Sequence, residues 1–109
     1  MIENRFIEHN GSRVHYVKAG KGRHPLLFFH GFGQDHSVYL SLIQALSGEY
    51  LLYIFDLFFH GQSTWAHGER TLEKKEWKSI MESFFRENDI PSFSIVGYSL
   101  GAKFALATL

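Results

Sequence analysis

Three short apolar runs, separated by longer stretches with a different spacing, set the pattern of the chain. The runs lie at 26–29, 50–55 and 93–97 and are rich in aromatic, leucine and β-branched residues. Their length is typical of strands that are buried on both faces of a sheet, as in parallel sheets covered by helices. Pro25 precedes the first run, and proline is tolerated at the first position of a strand. We therefore predict three buried strands.

The stretches between these strands have apolar residues at helical spacing. The first helix is predicted to start at Asp35 or Ser37, either of which can serve as the N-cap, and to end at Gly48. Its apolar positions are Tyr39, Leu42, Ile43 and Leu46. The second helix is predicted to start at Thr71 as N-cap and to end before Pro91. Its apolar face comprises Leu72, Trp77, Ile80, Met81, Phe84 and Phe85.

The N-terminal region predicts a hairpin. Residues 5–8 and 14–17 read as short strands, and Asn10-Gly11 between them is a preferred tight turn. We expect this antiparallel pair at one edge of the sheet. Because strands alternate with helices in the rest of the chain, right-handed β-α-β units are expected there. The predicted fold class is α/β, a mostly parallel sheet with an N-terminal antiparallel hairpin and helices on both faces.

Composition narrows the possible partners. The 109 residues carry 11 basic and 11 acidic side chains, and a zero net charge does not favour a nucleic-acid or anionic-membrane partner. No cysteine is available for a disulfide framework, and no apolar run is long enough to span a membrane. The first residues lack the basic and apolar regions of a signal peptide, so we expect a cytoplasmic protein. Seven histidines show no metal-ligand spacing, so neither a metal nor a cofactor is expected.

A serine flanked by glycines stands between the last predicted strand and an apolar C-terminal stretch. Residues 97–101 read Gly-Tyr-Ser-Leu-Gly, which is the G-x-S-x-G pattern. Such a pattern forms a sharp turn from strand to helix that exposes a serine Oγ, and glycines flank it because side chains there would collide with the neighbouring backbone. Residues 102–109 suit a helix that is apolar on most faces. Ser99 is a candidate nucleophile, and a small residue at a tight turn is the alternative.

Three motifs, in order, resemble those of one enzyme family. His30-Gly31-Phe32-Gly33 resembles the H-G-x-G loop of the α/β-hydrolases, residues 56–63 resemble their D-x-P-G-x-G-x-S stretch, and residues 97–101 resemble their nucleophile elbow. Order and spacing agree over nearly the whole chain. The chain therefore resembles the N-terminal half of an α/β-hydrolase, the fold of many serine esterases, lipases and carbon-carbon bond hydrolases.

This resemblance implies roles for individual residues. Ser99 would be the nucleophile, and the backbone N–H groups of Phe32 and Leu100 would be the oxyanion donors. Acyl transfer through a tetrahedral intermediate needs such donors, and losing one typically adds about 3 to 4 kcal/mol to the barrier. His30 would shape the loop by hydrogen bonding and is not expected to be the base. Asp56 and His60 are suitable residue types for an acid and a base, but the family uses their stretch as a structural turn.

Two positions are candidates for contact with the substrate. Phe58 and Phe59 replace the Pro-Gly of the family pattern, and such rings either pack under another part of the protein or form an apolar wall of the substrate site; Phe58 is our candidate for that wall. Lys103 lies one helical turn after Ser99, where related elbows often have arginine. A cation there could meet a substrate carboxylate, and a lysine extending to the surface from an apolar helix is the alternative.

The catalytic triad is incomplete in these 109 residues. In the family the carboxylate and the histidine base follow the serine, and residues 100–109 contain neither. We expect one N-terminal part of a hydrolase domain, 1–109, without the C-terminal strands and cap, acting on a small acyl substrate but unable to turn over alone. The strand at 93–97 would be an open edge through which copies self-associate. A non-catalytic binding module and a parent resembling carbon-carbon hydrolases or the menaquinone-pathway synthase are the alternatives.

Overall fold

Five strands form one mixed sheet in the computed structural model, which describes residues 2–109. The strands are β1 (Ile2–His9), β2 (Ser12–Ala19), β3 (His24–Phe29), β4 (Tyr50–Phe55) and β5 (Ser94–Gly97), and their order across the sheet is β1-β2-β4-β3-β5. Pairing is parallel between β3 and β4 and between β3 and β5, whereas β2 pairs antiparallel with both β1 and β4. Four strands therefore run in one direction and β2 runs against them.

The predicted hairpin is present and is longer than expected. Its turn residues Asn10 and Gly11 both have positive φ, at 48° and 85°, as a tight turn matched to the strand twist requires. The ladder continues outward to the pair Ile2 and Ala19, so each strand has eight residues. Backbone pairing thus extends beyond the short segments that the side-chain pattern predicts.

Helices cover both faces of the sheet, as predicted. A 3-10 helix (His36–Leu42) continues into α1 (Ile43–Leu46) and packs on one face, while α2 (Lys74–Asn88) and α3 (Leu100–Thr108) pack on the other. The core under α1 contains Val17, Leu26, Phe28, Leu52 and Ile54. The larger core under α2 and α3 is strongly aromatic, and its largest members are Tyr16, Phe29, Tyr53, Phe55, Trp77 and Phe84. The fold is therefore the α/β arrangement expected from the sequence.

The helix boundaries correct two details of the prediction. Asp35 caps the predicted first helix by accepting a hydrogen bond from Ser37 N at 2.8 Å. The first turns of that helix, however, have the tighter winding of a 3-10 helix and are not α-helical. The N-cap of α2 is Glu73 and not Thr71. Glu73 N donates to Glu76 Oε1 at 2.9 Å in a reciprocal capping box, which satisfies two N–H groups that a single threonine would not.

The two edges of the sheet differ. β1 forms one edge and is covered in part by its contacts with α2, whereas β5 forms the other and is short and largely exposed. The apolar side chains of Leu106 and Leu109 on α3 are also exposed beside β5. None of the helices within residues 2–109 has the length and hydrophobicity of a transmembrane segment.

Candidate active site

The turn between β5 and α3 holds Ser99 in a strained backbone conformation. Its φ is 55° and its ψ is −117°, a region that residues other than glycine rarely adopt and that costs about 1 to 3 kcal/mol. Ser99 is the N-cap of α3, yet its side chain caps no backbone group, and its hydroxyl has no hydrogen-bond partner within the described residues. The side chain is exposed. A serine at an N-cap normally bonds to the helix, whereas this hydroxyl is left without a protein partner among residues 2–109.

The flanking glycines make this turn possible because the neighbouring backbone is close. A Cβ on Gly101 would overlap the carbonyl oxygens of Phe29 and His30 at the end of β3. A Cβ on Gly97 would lie 2.9 Å from Ala102 Cα, inside any normal contact distance. The G-x-S-x-G spacing is thus explained by the packing of the first turn of α3 against the ends of β3 and β5.

The loop after β3 lies directly beside this serine turn. Tyr98 N donates to Phe29 O at 3.2 Å, and a Cβ on Gly31 would be only 2.8 Å from the Tyr98 ring. Two of the three predicted motifs therefore meet at the carboxyl ends of adjacent parallel strands. In open α/β sheets, ligands bind at this end of the strands.

Two backbone donors at this junction remain unused. Within residues 2–109, no group accepts a hydrogen bond from the N–H of Phe32 or of Leu100. Their neighbours are engaged: Gly31 N donates to Gln34 Oε1 at 2.8 Å, and Gly33 N donates to His60 Nε2 at 2.9 Å. Leu100 also begins α3, where the helix dipole favours negative charge. The arrangement offers donors to an anionic oxygen.

His30 and His60 fix the loops around the serine. Leu57 N donates to His30 Nε2 at 2.9 Å, and His30 Nδ1 lies 2.8 Å from Gly31 O, so the ring bridges two loops as a neutral imidazole. Burial lowers the pKa of His30 and keeps it neutral. His60 is engaged in the same way, since its Nδ1 lies 2.8 Å from Phe58 O and its Nε2 accepts from Gly33. Both rings are used for structure.

Asp56 organises the turn after β4. Its fully buried carboxylate accepts hydrogen bonds from His15 Nδ1 at 2.6 Å, from both N and Nδ1 of His36 at 2.7 and 2.9 Å, and from Gln62 N at 3.0 Å. Burial raises the pKa of Asp56, but the hydrogen bonds from His15, Gln62 and His36 outweigh it, and the net pKa is well below the ordinary value. His60 is not among its partners. Asp56 and His60 therefore do not form an acid-base pair.

His15, His36 and Asp56 are also the residue types that bind metal ions. Their ligand atoms all lie within 4.8 Å of one another, which the sequence spacing did not suggest because the three residues come from β2, the 3-10 helix and the end of β4. Each close approach to the carboxylate is already a hydrogen bond from a histidine. A Cβ on Gly61 would overlap the same carboxylate, so the site is crowded. The hydrogen bonds account for the cluster without an ion.

An open cleft of about 680 Å³ lies between the loop after β3 and the turn after β4. Its lining includes Phe32, Asp35, Val38, Phe59 and His60. Phe32 is 82% exposed and Phe59 is 76% exposed. The volume is within the range of small-molecule sites.

Phe58 points away from this cleft, which corrects the prediction that Phe58 contacts the substrate. Only 5% of the residue is exposed, and its ring packs edge-on against Trp65 in the larger core, with 5.0 Å between ring centroids. Phe59 takes the exposed position instead and has φ of 68°. The left-handed backbone at Phe59 directs its ring away from that of Phe58, and the sequence did not distinguish which ring is buried.

Lys103 is likewise remote from the cleft. It lies on the exposed side of α3, in a groove between α2 and α3 whose apolar lining includes Leu72, Trp77 and Phe104. The residue one helical turn after a strand-helix junction can face either the site or the neighbouring helix, and here it faces the neighbour. The structure places the loop of Phe32 beside the turn of Ser99 and Leu100, through the contacts of Tyr98 with Phe29 and Gly31, and places Phe58 and Lys103 elsewhere.

Comparison with known proteins supports the same assignment of fold. A family model described as the alpha/beta hydrolase fold matches residues 24–109. The chain is 33% identical over 101 residues to the dihydrolipoyllysine-residue acetyltransferase component of the acetoin cleaving system of Cupriavidus necator, covering 93% of this chain and 26% of that protein. It is 31% identical over 114 residues to the (lyso)-N-acylphosphatidylethanolamine lipase of Mus musculus, covering 95% of this chain and 33% of the lipase.

A solved structure has the same architecture. The Cif epoxide hydrolase from Acinetobacter nosocomialis superposes with a TM-score of 0.84 at 21% identity, over 99% of this chain and 33% of that chain. At this identity the similarity concerns the fold. The chain therefore spans about a quarter to a third of the length of these similar proteins.

Proposed function

The chain belongs to the alpha/beta hydrolase family, and on this premise we propose that it carries the nucleophile and oxyanion hole of a serine hydrolase acting on an ester or similar acyl bond. One observation carries the proposal. Ser99 is exposed in a strained turn that packs against the loop of Phe32, and the N–H groups of Phe32 and Leu100 have no acceptor within residues 2–109. A structural turn has no need of a strained serine and two unused donors, whereas acyl transfer requires all three.

In the proposed reaction, Ser99 Oγ attacks the carbonyl carbon of the acyl group. The carbonyl oxygen becomes an oxyanion and accepts hydrogen bonds from the N–H groups of Phe32 and Leu100, with further stabilisation from the dipole of α3. Collapse of the tetrahedral intermediate expels the alcohol and leaves an acyl-serine. Attack by water then releases the acid and restores the hydroxyl of Ser99.

A general base must come from outside these 109 residues. Both histidines near the serine turn have their ring nitrogens engaged, and no described residue bonds to the Ser99 hydroxyl. Similar proteins are three to four times as long as this chain, which supports a base and its carboxylate supplied by a further part of the same domain. The proposed unit is accordingly the N-terminal part of a hydrolase domain.

Transfer of the acyl group to an acceptor other than water is a second candidate. It is favoured by the similarity to a protein named as an acetyltransferase component. Both reactions share the attack of Ser99 and the oxyanion hole, and they differ only in the nucleophile that resolves the acyl-serine. Adding an alcohol to the assay distinguishes them, because an acyltransferase forms a new ester faster than the free acid.

Labelling with a fluorophosphonate probe tests the proposal. In the natural full-length polypeptide, we expect the probe to modify Ser99, as located by peptide mapping, and Ser99→Ala to abolish labelling. Ser94→Ala is the matched control, because Ser94 is another exposed serine nearby on β5 and its loss leaves labelling unchanged. An unmodified Ser99 in the folded full-length polypeptide would reject the nucleophile and favour a non-catalytic binding module of the same fold.

We also propose that the exposed edge of β5 lets the 109-residue chain self-associate. Unpaired strand edges pair readily with other strands, and Val96, Leu106 and Leu109 add exposed apolar surface beside this edge. Light scattering should show dimers or larger species that Val96→Lys reduces, and a monomer at all concentrations would contradict it.

A cytoplasmic location is a further proposal, which cell fractionation tests.

A further inference from the structure

Phe59 combines two unfavourable features that nothing in its own packing offsets. Its φ of 68° puts a bulky side chain in the left-handed region, where such residues are outliers. Its ring is 76% exposed and belongs to neither hydrophobic core. Backbone strain of this kind persists only where the surrounding structure enforces it, and it clusters at active sites and ligand-binding sites.

Phe59 lines the same cleft as the proposed oxyanion loop. The turn that carries Phe59 is tied to that loop by the hydrogen bond from Gly33 N to His60 Nε2 at 2.9 Å. The His60 ring in turn contacts the exposed Phe32 ring edge-on, with 5.7 Å between ring centroids. Two exposed phenyl rings therefore line one cleft, one of them on the residue whose N–H is proposed to bind the oxyanion.

The charge of the cleft restricts which ligand groups can bind between the rings of Phe32 and Phe59. Asp35 lies in its lining, and the hydrogen bonds that Ser37 donates lower the pKa of Asp35, so the carboxylate is ionised near neutral pH. Within the described residues, no lysine or arginine lines this cleft, and Lys103 lies in the groove between α2 and α3. An anionic group in the cleft would meet a like charge without a compensating cation.

We infer that Phe59 and Phe32 clamp an uncharged apolar acyl chain, so that Phe59 sets the preference for long apolar acyl groups over short or carboxylate-bearing ones. This inference rests on the acyl-transfer function proposed above. It deepens that function by identifying the substrate class, and it accounts for an exposed phenylalanine held at a backbone conformation suited to glycine.

Ligand binding and stability together test the inference in the natural full-length polypeptide carrying Ser99→Ala, which removes the chemistry. Methyl octanoate and methyl acetate are titrated while the amide NMR signals of the cleft are followed. With Phe59 present, methyl octanoate should bind more tightly than methyl acetate, and Phe59→Gly should reduce that preference about tenfold, the scale of losing apolar contact in a pocket. Phe59→Asn should do the same, because asparagine tolerates the left-handed region but is polar.

Asp89→Gly is the matched control. Asp89 also has positive φ, at 51°, but it ends α2 away from the cleft. Glycine at either position should make the protein more stable to urea, because strain is removed, whereas only the change at Phe59 should alter the ligand preference. Equal chain-length preference with and without Phe59 overturns the inference. A loss of stability in Phe59→Gly would also overturn the inference, because it would mean that the ring packs against other parts of the full-length polypeptide.

The preference for uncharged ligands is tested by an independent titration. The monomethyl ester of octanedioic acid, which ends in a carboxylate, should bind at least several-fold more weakly than methyl octanoate, and Asp35→Asn should narrow this difference. Equal binding of the two esters would overturn the charge argument. Because these titrations use Ser99→Ala, they report on the clamp, whereas labelling of Ser99 by a fluorophosphonate reports on the proposed chemistry; either can fail while the other succeeds.

Discussion

The turns that follow β4 and β5 lie at the same end of the sheet, on either side of β3. They differ in whether their polar groups have hydrogen-bond partners. In the turn after β4, which we call the aspartate turn (56–63), one buried carboxylate receives hydrogen bonds from two histidine rings and two backbone N–H groups. In the turn after β5, which we call the serine turn (97–101), the hydroxyl and the N–H of Leu100 have no partner within residues 2–109.

In a structural turn the polar groups bond to one another, whereas in a reactive turn some of them are left without a protein partner. Asp56 is a more conspicuous chemical group than Ser99, because it is ionised, buried and adjacent to histidines. Its partners, however, use its acceptor positions and leave none for a substrate. Groups that bind a substrate must instead have no protein partner that the substrate would have to displace. The hydrogen bonds of Asp56 thus indicate a structural role for the aspartate turn, and the open donors and hydroxyl of the serine turn are consistent with the chemistry proposed for it.

The largest expected effect comes from filling the space beneath the serine turn. We predict that Gly101→Val destabilises the protein by about 4 kcal/mol or more, because its side chain would overlap two main-chain carbonyl oxygens that cannot move independently of β3. Urea denaturation or loss of soluble protein measures this effect. Gly48→Ala is the control, since a Cβ there meets open space, and it should change stability by less than about 0.5 kcal/mol. Similar stability of the two variants would show that the close packing is not required.

Removing the charge of the aspartate turn should have the next largest effect. We predict that Asp56→Asn lowers the free energy of unfolding by about 3 to 5 kcal/mol, because His15 and the backbone donors lose their common partner in a buried site. Asp35→Asn is the matched control, because Asp35 is only half-buried and asparagine also serves as an N-cap. Its effect should stay within about 1 kcal/mol. If Asp56→Asn were equally mild, the aspartate turn would not be the structural one.

Acid titration of stability sharpens the same assignment. The pKa of Asp56 is lower in the folded state than its ordinary value of 3.8, so the ionised carboxylate stabilises the fold. This stabilisation is fully present above the unfolded pKa and decreases as pH falls through the folded pKa. We predict that stability declines below about pH 4 and that Asp56→Asn flattens this decline. Glu76→Gln is the control: the hydrogen bond from Arg70 lowers the pKa of Glu76 to about 2, but solvent screens this ion pair, so its loss should leave most of the decline in place. An unchanged acid profile in Asp56→Asn would contradict the prediction.

Sequence patterns predicted the serine turn better than they predicted the aspartate turn, for a physical reason. The serine turn is built from residues adjacent in sequence, so the glycine spacing and the strand-to-helix change around Ser99 are visible locally. The aspartate turn depends on His15 and His36, which are 41 and 20 residues from Asp56 and reach it only after the sheet has formed. No local pattern contains these contacts.

The errors in the predicted site have a similar origin. The apolar pattern identified β4 at its observed bounds, but it could not show that Phe58 is buried while Phe59 is exposed, because this depends on the left-handed backbone at Phe59. Helical spacing placed Lys103 near Ser99 along the chain, but the packing of α3 against α2 decides which way that surface of the helix faces. Element order is encoded locally, whereas the direction of individual side chains depends on tertiary packing.

The smallest predicted effect concerns the strain at Ser99 and has the opposite sign. We predict that Ser99→Gly raises the free energy of unfolding by about 1 kcal/mol, because glycine adopts a φ of 55° without a clash between its side chain and the backbone. Ser99→Ala is the matched control, since it removes the same hydroxyl but keeps the Cβ and therefore the strain. Both variants should fail to react with a fluorophosphonate, yet only the glycine variant should gain stability in urea denaturation. If both gained equally, the stability cost would lie in the hydroxyl; if neither gained, the turn would be relaxed, and the contrast between a satisfied aspartate turn and a strained serine turn would not hold.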